Sequence, residues 1–328
     1  MRFSEFTTEW TPSQLGVIGE FYGGLSGKTK EDFGHGDEKY ITYRNVFANT
    51  FASAQLLESV EVKQSEKQNR VQKGDALFTQ SSETFEEVGM SSVWLHNSAP
   101  FLNSFCMGWH PKTKILDPVF MGYLLRTPTV RKQIVCQGQG ISRINLAASR
   151  IANIDLYHPL LDEQVRVATF LTLLDKRIEC VTDILECLKK YKRGVIKSLL
   201  DPKKNTRQGV AWTTEKIGKL GSFTKGAALS KADITETGTP FILYGELYTT
   251  YKEVVRTVVR TTSASVDDVY FSRIGDVVIP TSGETPEEIS TASCVMVPNV
   301  ILAGDLNIFR SKIVDGRIMS YLLNHGHL

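Results

Sequence analysis

The chain holds only five cysteines in 328 residues: Cys106, Cys136, Cys180, Cys187 and Cys294. The number is odd and no two stand as Cys-x-x-Cys. That argues against a disulfide framework or a zinc ribbon and predicts reduced thiols in a cytoplasmic protein. No run of about 18 apolar residues occurs, so no membrane span is expected. The start, Met1-Arg2-Phe3-Ser4-Glu5-Phe6, has no apolar signal core. An excess of one charge is also missing: 38 Lys and Arg against 36 Asp and Glu leave a net charge of +2. This excludes a histone-like polycation but leaves room for a basic face on a near-neutral body. Hydrophobic residues at 41% and charged residues at 23% exclude a wholly disordered chain. The length points to about two domains.

Catalytic constellations are lacking too. Gly23-Gly24-Leu25-Ser26-Gly27-Lys28-Thr29 looks like a phosphate loop, but the first Gly of that pattern would fall at position 22, which is Tyr. The loop is instead expected to offer Ser26, Lys28 and Lys30 to a surface. Gly138-Gln139-Gly140 lacks the third Gly of a dinucleotide fingerprint. Glu61-Val62-Lys63 is half of a nuclease metal site with no Asp to complete it. The clusters Glu83/Glu86/Glu87 and Glu284/Glu287/Glu288 read as solvated loop faces or as metal ligands, the former more often. Among the six histidines only His325 and His327 form a spaced pair, and no Asn/Asp-Pro-Pro-aromatic methyltransferase motif occurs. Neither a catalytic nor a metal site is expected.

What the chain does contain is a copy of itself. Trp10-Thr11 returns as Trp212-Thr213, Leu15-Gly16 as Ile217-Gly218, and Gly19 as Gly221. Tyr40-Ile41-Thr42-Tyr43 faces Phe241-Ile242-Leu243-Tyr244. The block from Gly74-Asp75 to Val88 faces Gly275-Asp276 to Ile289, and Tyr123-Leu124-Leu125 faces Tyr321-Leu322-Leu323. The offset drifts only from 202 to 198. Such short matches in one order, at nearly constant spacing, indicate two homologous domains. Their interiors read as mixed and β-rich. Ala76-Leu77-Phe78 and Val277-Val278-Ile279 suit buried strands after a Gly-Asp turn, and Tyr251 to Thr262 suits strands. Asp117 to Leu125 suits a short helix with Pro118 in its first turn.

The segment between the copies is of another kind. From Asp162 to Leu200 there is no Pro and one Gly, Gly194. Leu171, Leu174, Ile178, Val181, Leu185 and Leu188, then Val195 and Leu199, follow alternating three- and four-residue steps interrupted by Lys192. One helix of about 39 residues, roughly 58 Å long, is predicted. Its apolar seam needs a partner. The sequence stops at His327-Leu328, before any counterpart of residues 126–200. The seam is therefore expected to meet a second copy, another subunit or a segment outside this sequence; packing on the chain's own domains is the alternative. Residues 160–207 carry a net charge of +4, against zero before and −2 after. Lys189, Lys190, Lys192, Arg193, Lys197, Lys203, Lys204 and Arg207 supply it. Two readings compete: a solvated helix end that complements its dipole, and a strip facing phosphates.

Three segments in order carry a family resemblance: Gly138-Gln139-Gly140-Ile141-Ser142-Arg143-Ile144-Asn145-Leu146, Ile151-Ala152-Asn153-Ile154, and His158-Pro159-Leu160-Leu161-Asp162-Glu163-Gln164. With the Gly-Asp and Tyr-Leu-Leu blocks, they resemble the specificity subunits of type I restriction–modification systems. The resemblance spans essentially the whole chain. It implies an α+β fold: two homologous, mixed, β-rich target recognition domains joined by a long coiled-coil-type α-helix. The expected division is 1–158, 159–207 and 208–328. The pattern departs from a full subunit in lacking the distal conserved helical region after the second domain.

The resemblance also implies a role. Each domain would read one half of a bipartite double-stranded DNA target, while the helix sets the spacing and docks modification subunits. The chain would be no enzyme and hold no cofactor. S-adenosylmethionine, ATP and Mg would belong to the modification and restriction subunits. Self-association through the unpaired central helix is a further expectation.

Direct readout needs directional donors and acceptors on loops entering the major groove. Thr79, Gln80, Ser81 and Ser82 follow a Gly-Asp turn and a short strand, and Thr281 and Ser282 are their twins. Ordinary turn chemistry explains such Ser and Thr residues equally well. Tyr43, Arg44 and Asn45 face Tyr244, Gly245 and Glu246; Arg44 suits guanine and Asn45 adenine, and the two Tyr residues suit the core as well as the DNA. Lys28, Lys30, Arg143, Lys225 and Lys231 are candidates for phosphate contact or plain surface cations. Leu171, Leu174, Ile178, Val181, Leu185 and Leu188 are the candidates for subunit docking. Two rival functions remain: a helical scaffold with two protein-binding modules and no DNA readout, and a stand-alone nuclease or methyltransferase.

Overall fold

The computed structural model describes residues 2–202 and 212–325. The chain forms two compact units that divide between Cys180 and Val181, inside the long helix Leu161–Leu199. That helix has the predicted 39 residues. Its early turns belong to the first unit because Glu163, Gln164 and Ala168 are buried there. Leu200 closes the last turn onto Ile196, and Asp201-Pro202 follows. The expected boundary at 207–208 lies outside the described residues.

In the first unit, four antiparallel strands lie in the order Gly19–Gly23, Cys106–Pro111, Ala76–Thr79, Ser91–Val93. Beside them runs a three-stranded sheet, Leu57–Val60, Phe33–Ile41, Phe101–Leu102, whose last pair is parallel. The core joins Phe78, Trp109, Met121, Leu125 and Ile134 of the first sheet and the helices Pro118–Leu124 and Pro128–Cys136. Asp117 caps the first of these, accepting from the Phe120 amide, and Pro118 stands in its first turn as predicted.

The second unit repeats this plan. Its larger sheet runs Ser222–Lys225, Leu306–Arg310, Asp276–Pro280, Ser293–Val295, Val254–Val255. Its smaller sheet runs Arg260–Thr262, Thr239–Leu243, Ile301–Ala303, again with the last pair parallel. The predicted strands at Val277–Ile279 and within Tyr251–Thr262 are therefore present.

The Gly-Asp repeat has one physical cause in both copies. Gly74 and Gly275 each sit at φ +94°, a conformation that side chains with a Cβ avoid. The following Asp75 and Asp276 accept from the amides of Gln72 and Arg273, both at 2.8 Å, which closes the turn. Each buried carboxylate is then paired from the neighbouring strand, Asp75 by His110 at 2.6 Å and Asp276 by Arg310 at 3.0 Å.

The Glu-Gln pair at the start of the long helix is a staple. Gln164 accepts from the Asp117 amide at 2.8 Å and donates to the carbonyls of Ile115 and Pro159, both at 2.8 Å. Glu163 accepts from Arg2 and from the Trp10 indole. The Arg2 contact holds the Glu163 carboxyl below the usual carboxylate range.

Candidate functional site

In the second domain, a groove of about 970 Å³ opens at one end of the larger sheet. Strand ends and turns from distant parts of the sequence build it. Lys225 ends one strand and Thr281 follows another. Lys231 lies in a short 3-10 turn closed by a capping box between Ser230 and Asp233, and Tyr244 precedes the helix Glu246–Thr249. The groove thus collects four of the five second-domain residues named from sequence. The fifth, Ser282, lies at its edge and donates to Asp305, a lining residue, at 3.0 Å.

Sequence reasoning missed Arg260 and named Glu246 only as the counterpart of Asn45; both also line this groove. Arg260 Nε donates to Glu246 Oε1 at 2.9 Å. Glu246 Oε2 accepts from the Leu243 amide at 3.3 Å. The carboxylate is nearly covered at 11% exposure, whereas the Arg260 side chain is 50% exposed. Only the pairing of Arg260–Thr262 with Thr239–Leu243, the strand that leads into the Glu246 helix, reveals the relation, since 14 residues separate the partners.

The same backbone frame exists in the first domain. Gly24 and Leu25 donate to Cys106 and Leu102 as Gly226 and Ala227 do to Leu306 and Leu302. The Gln80 amide donates to Phe105 as Thr281 does to Asp305, and Thr29 and Asp32 form the matching capping box. Here the short pairing of Ser81–Ser82 with Ile144–Asn145 brings the loop carrying Arg143 beside the 79–82 turn. Tyr43 donates to the Ser81 carbonyl at 2.9 Å. Burial raises the Tyr43 hydroxyl above its ordinary value, with Arg143 among the groups that oppose the rise. Tyr43, Gln80, Ser81 and Arg143 therefore form one cluster, while Arg44 and Lys30 are exposed.

Four first-domain candidates are committed elsewhere. Asn45 is 1% exposed, and its amide donates to the Ser53 carbonyl and accepts from the Ser53 amide and Asn49. Those bonds hold the 49–53 turn and leave no face for a base. Thr79 is fully buried, donating to Glu87, and Ser82 donates to the Thr84 carbonyl. Lys28 binds Glu66 at 2.7 Å instead of facing outward, and Ser26 is tied to Gln68. The loop that imitates a phosphate loop is thus pinned to residues 63–69.

Along the long helix, Leu171 is partly covered, while Leu174, Ile178, Val181, Leu185 and Leu188 are exposed. Of the basic strip, Lys192 is spent on Glu253, and Lys189, Lys190, Arg193 and Lys197 are exposed. Lys203, Lys204 and Arg207 lie outside the described residues. Among the described residues no group of three or more His, Cys, Asp or Glu side chains is placed to hold a metal ion. Among the same residues no helix is long and apolar enough to cross a membrane.

Comparison with known proteins gives two positive results. Residues 7–190 match the family model described as the type I restriction modification DNA specificity domain. Two solved structures with TM-scores above 0.5 share the fold at low identity. The type I restriction-modification S subunit from M. genitalium is 14% identical with a TM-score of 0.56, over 99% of this chain and 80% of that one. A chain from a structure of complex assembly and conformational transition of the type I R-M system is 15% identical with a TM-score of 0.55, over 98% and 80%. The HsdS subunit from Thermoanaerobacter tengcongensis is 14% identical with a TM-score of 0.49, over 99% and 82%. No curated protein matches the chain. The family model covers more than half of the sequence, so the chain belongs to the type I restriction modification DNA specificity family, whose members supply DNA sequence recognition and not catalysis.

Proposed function

We propose that each globular domain reads one part of a bipartite double-stranded DNA target. The second domain does so through the groove of Lys225, Lys231, Tyr244 and Thr281, the first through Tyr43, Arg44, Gln80, Ser81 and Arg143. One observation carries this reading: four polar candidates from well-separated segments of the second domain converge on one concave surface at one end of a sheet. Lysines at the rim suit phosphates, and fixed polar groups on rigid strand ends suit base edges. Lys30 and Ser282 flank these surfaces.

The long helix spaces the two domains and docks modification subunits through Leu171, Leu174, Ile178, Val181, Leu185 and Leu188. A seam this apolar and exposed is the kind of surface a partner helix covers. Where no such subunit is present, self-association is its expected fate. S-adenosylmethionine, ATP and Mg act in the modification and restriction subunits. Exposed free thiols at Cys136, Cys180 and Cys187 fit a reducing, cytoplasmic setting.

The test is the adenine methylation pattern of cells that carry this chain with the modification subunit of its own system and no other methyltransferase. A two-part motif with a fixed gap is expected, and exchange of one domain should change one half of it. A motif that survives exchange of both domains would overturn the assignment.

A further inference from the structure

The reading of the second domain can be carried to a single side chain, and this step rests on the proposed DNA readout. The Arg260 guanidinium is held from behind. Its Nε is bonded to a carboxylate that is itself nearly covered and anchored to the Leu243 amide. The half-exposed side chain lines the groove. A guanidinium fixed through Nε keeps its two terminal nitrogens, Nη1 and Nη2, as a parallel pair of donors. That fork matches the O6 and N7 acceptors of guanine. Its orientation is set before binding, so little rotamer freedom is lost on contact.

The first domain shows that the position varies between the copies. Arg260 pairs across the sheet with Phe241, and Glu58 pairs in the same way with Tyr40, the counterpart of Phe241. Glu58 accepts from the Tyr40 hydroxyl at 3.0 Å. One register position therefore carries a donor fork in one domain and an acceptor in the other. The buttress changes with it. The second domain has Glu246 where the first has Asn45, and Asn45 is spent on the 49–53 turn.

We infer that Arg260 is a specificity-determining residue of the second domain, reading one guanine in the major groove, with Glu246 as the residue that positions it.

Selection of duplexes from a random library tests this, using the full chain in complex with the modification subunits of its own system. Wild type, Arg260→Gln, Arg260→Lys and Glu246→Gln are compared. The wild-type motif should contain a guanine that both Arg260 variants cease to select, with the rest of the motif kept. Affinity for the guanine-bearing duplex should fall roughly 10- to 100-fold. Glu246→Gln should weaken the same guanine and no other position. Circular dichroism would establish that each variant is folded, and Arg260→Lys keeps the charge. An unchanged motif in folded Arg260→Gln and Arg260→Lys overturns the inference. So does equal weakening on all sequences with a shallower salt dependence, which marks a phosphate contact. A wild-type complex that selects no motif overturns the DNA reading itself, and the guanine assignment with it.

Discussion

Lys192 of the long helix donates to both carboxylate oxygens of Glu253, each at 3.0 Å. His325 reaches the same carboxylate at 2.9 Å, and the Lys192 ammonium stands 5.8 Å from the Tyr321 ring centroid. The residue that breaks the apolar seam of the helix is therefore a structural contact of the second unit. The first unit makes a contact of related kind, where the Tyr123 hydroxyl donates to Asp175 at 2.7 Å. Tyr123 and Tyr321 are counterparts in the repeat, so the Tyr-Leu-Leu block places a tyrosine beside the helix in each unit.

The Glu253 contact is expected to respond to pH. Burial raises this carboxyl's pKa, but His325 and Lys192 outweigh burial and hold it below the ordinary Glu value of 4.5. A depressed pKa contributes stability that is present above 4.5 and lost as pH falls below it. Glu253→Gln should flatten that acid-side loss. Because Lys192 is 48% exposed, solvent screens the pair, and the cost at pH 7 should be only about 1 kcal/mol. Thermal unfolding of both proteins between pH 3 and 7, values chosen to span roughly the carboxylate range, checks it.

Gln164→Leu should be more damaging. It removes three hydrogen bonds from a fully buried amide and leaves the Asp117 amide and the Ile115 carbonyl without that partner. A loss of about 2–4 kcal/mol is expected, read as a lower urea midpoint of the first unit.

Asn45→Ala should act on stability and not on sequence preference. Its amide closes the 49–53 turn from a buried position, so about 1–3 kcal/mol is at stake. Chemical unfolding should show the loss, while the selected DNA motif of the folded fraction stays unchanged.

Lys225→Ala and Lys231→Ala should weaken DNA binding uniformly across sequences. Each should lower the slope of log affinity against log salt by about 0.9. Titration of duplex binding at several salt concentrations measures it.

Thiol labelling should split the cysteines. Cys136, Cys180 and Cys187 are exposed, whereas Cys106 and Cys294 are buried. Burial pushes the Cys294 thiol up to about 11 and the Cys106 thiol further up, which suppresses the reactive thiolate. A maleimide should modify the first three in the native chain and all five in denaturant, as read by mass spectrometry.

The sequence by itself determined the duplication, the long helix and the Gly-Asp turns, because each is written in local signals. Periodicity without Pro marks the helix, and Gly at φ +94° followed by a capping Asp marks the turns. It also carried enough ordered motifs to identify the family.

It did not determine which polar residues stay free. Asn45 and Arg260 show why: a side chain is available for recognition only if no neighbour has already satisfied it, and those neighbours come from other strands and turns. Ser53 takes Asn45, Glu66 takes Lys28, and Glu246 takes only the inner edge of Arg260. Tertiary structure alone decided these pairings, since hydrogen bonds form between groups that the fold, not the chain order, brings together.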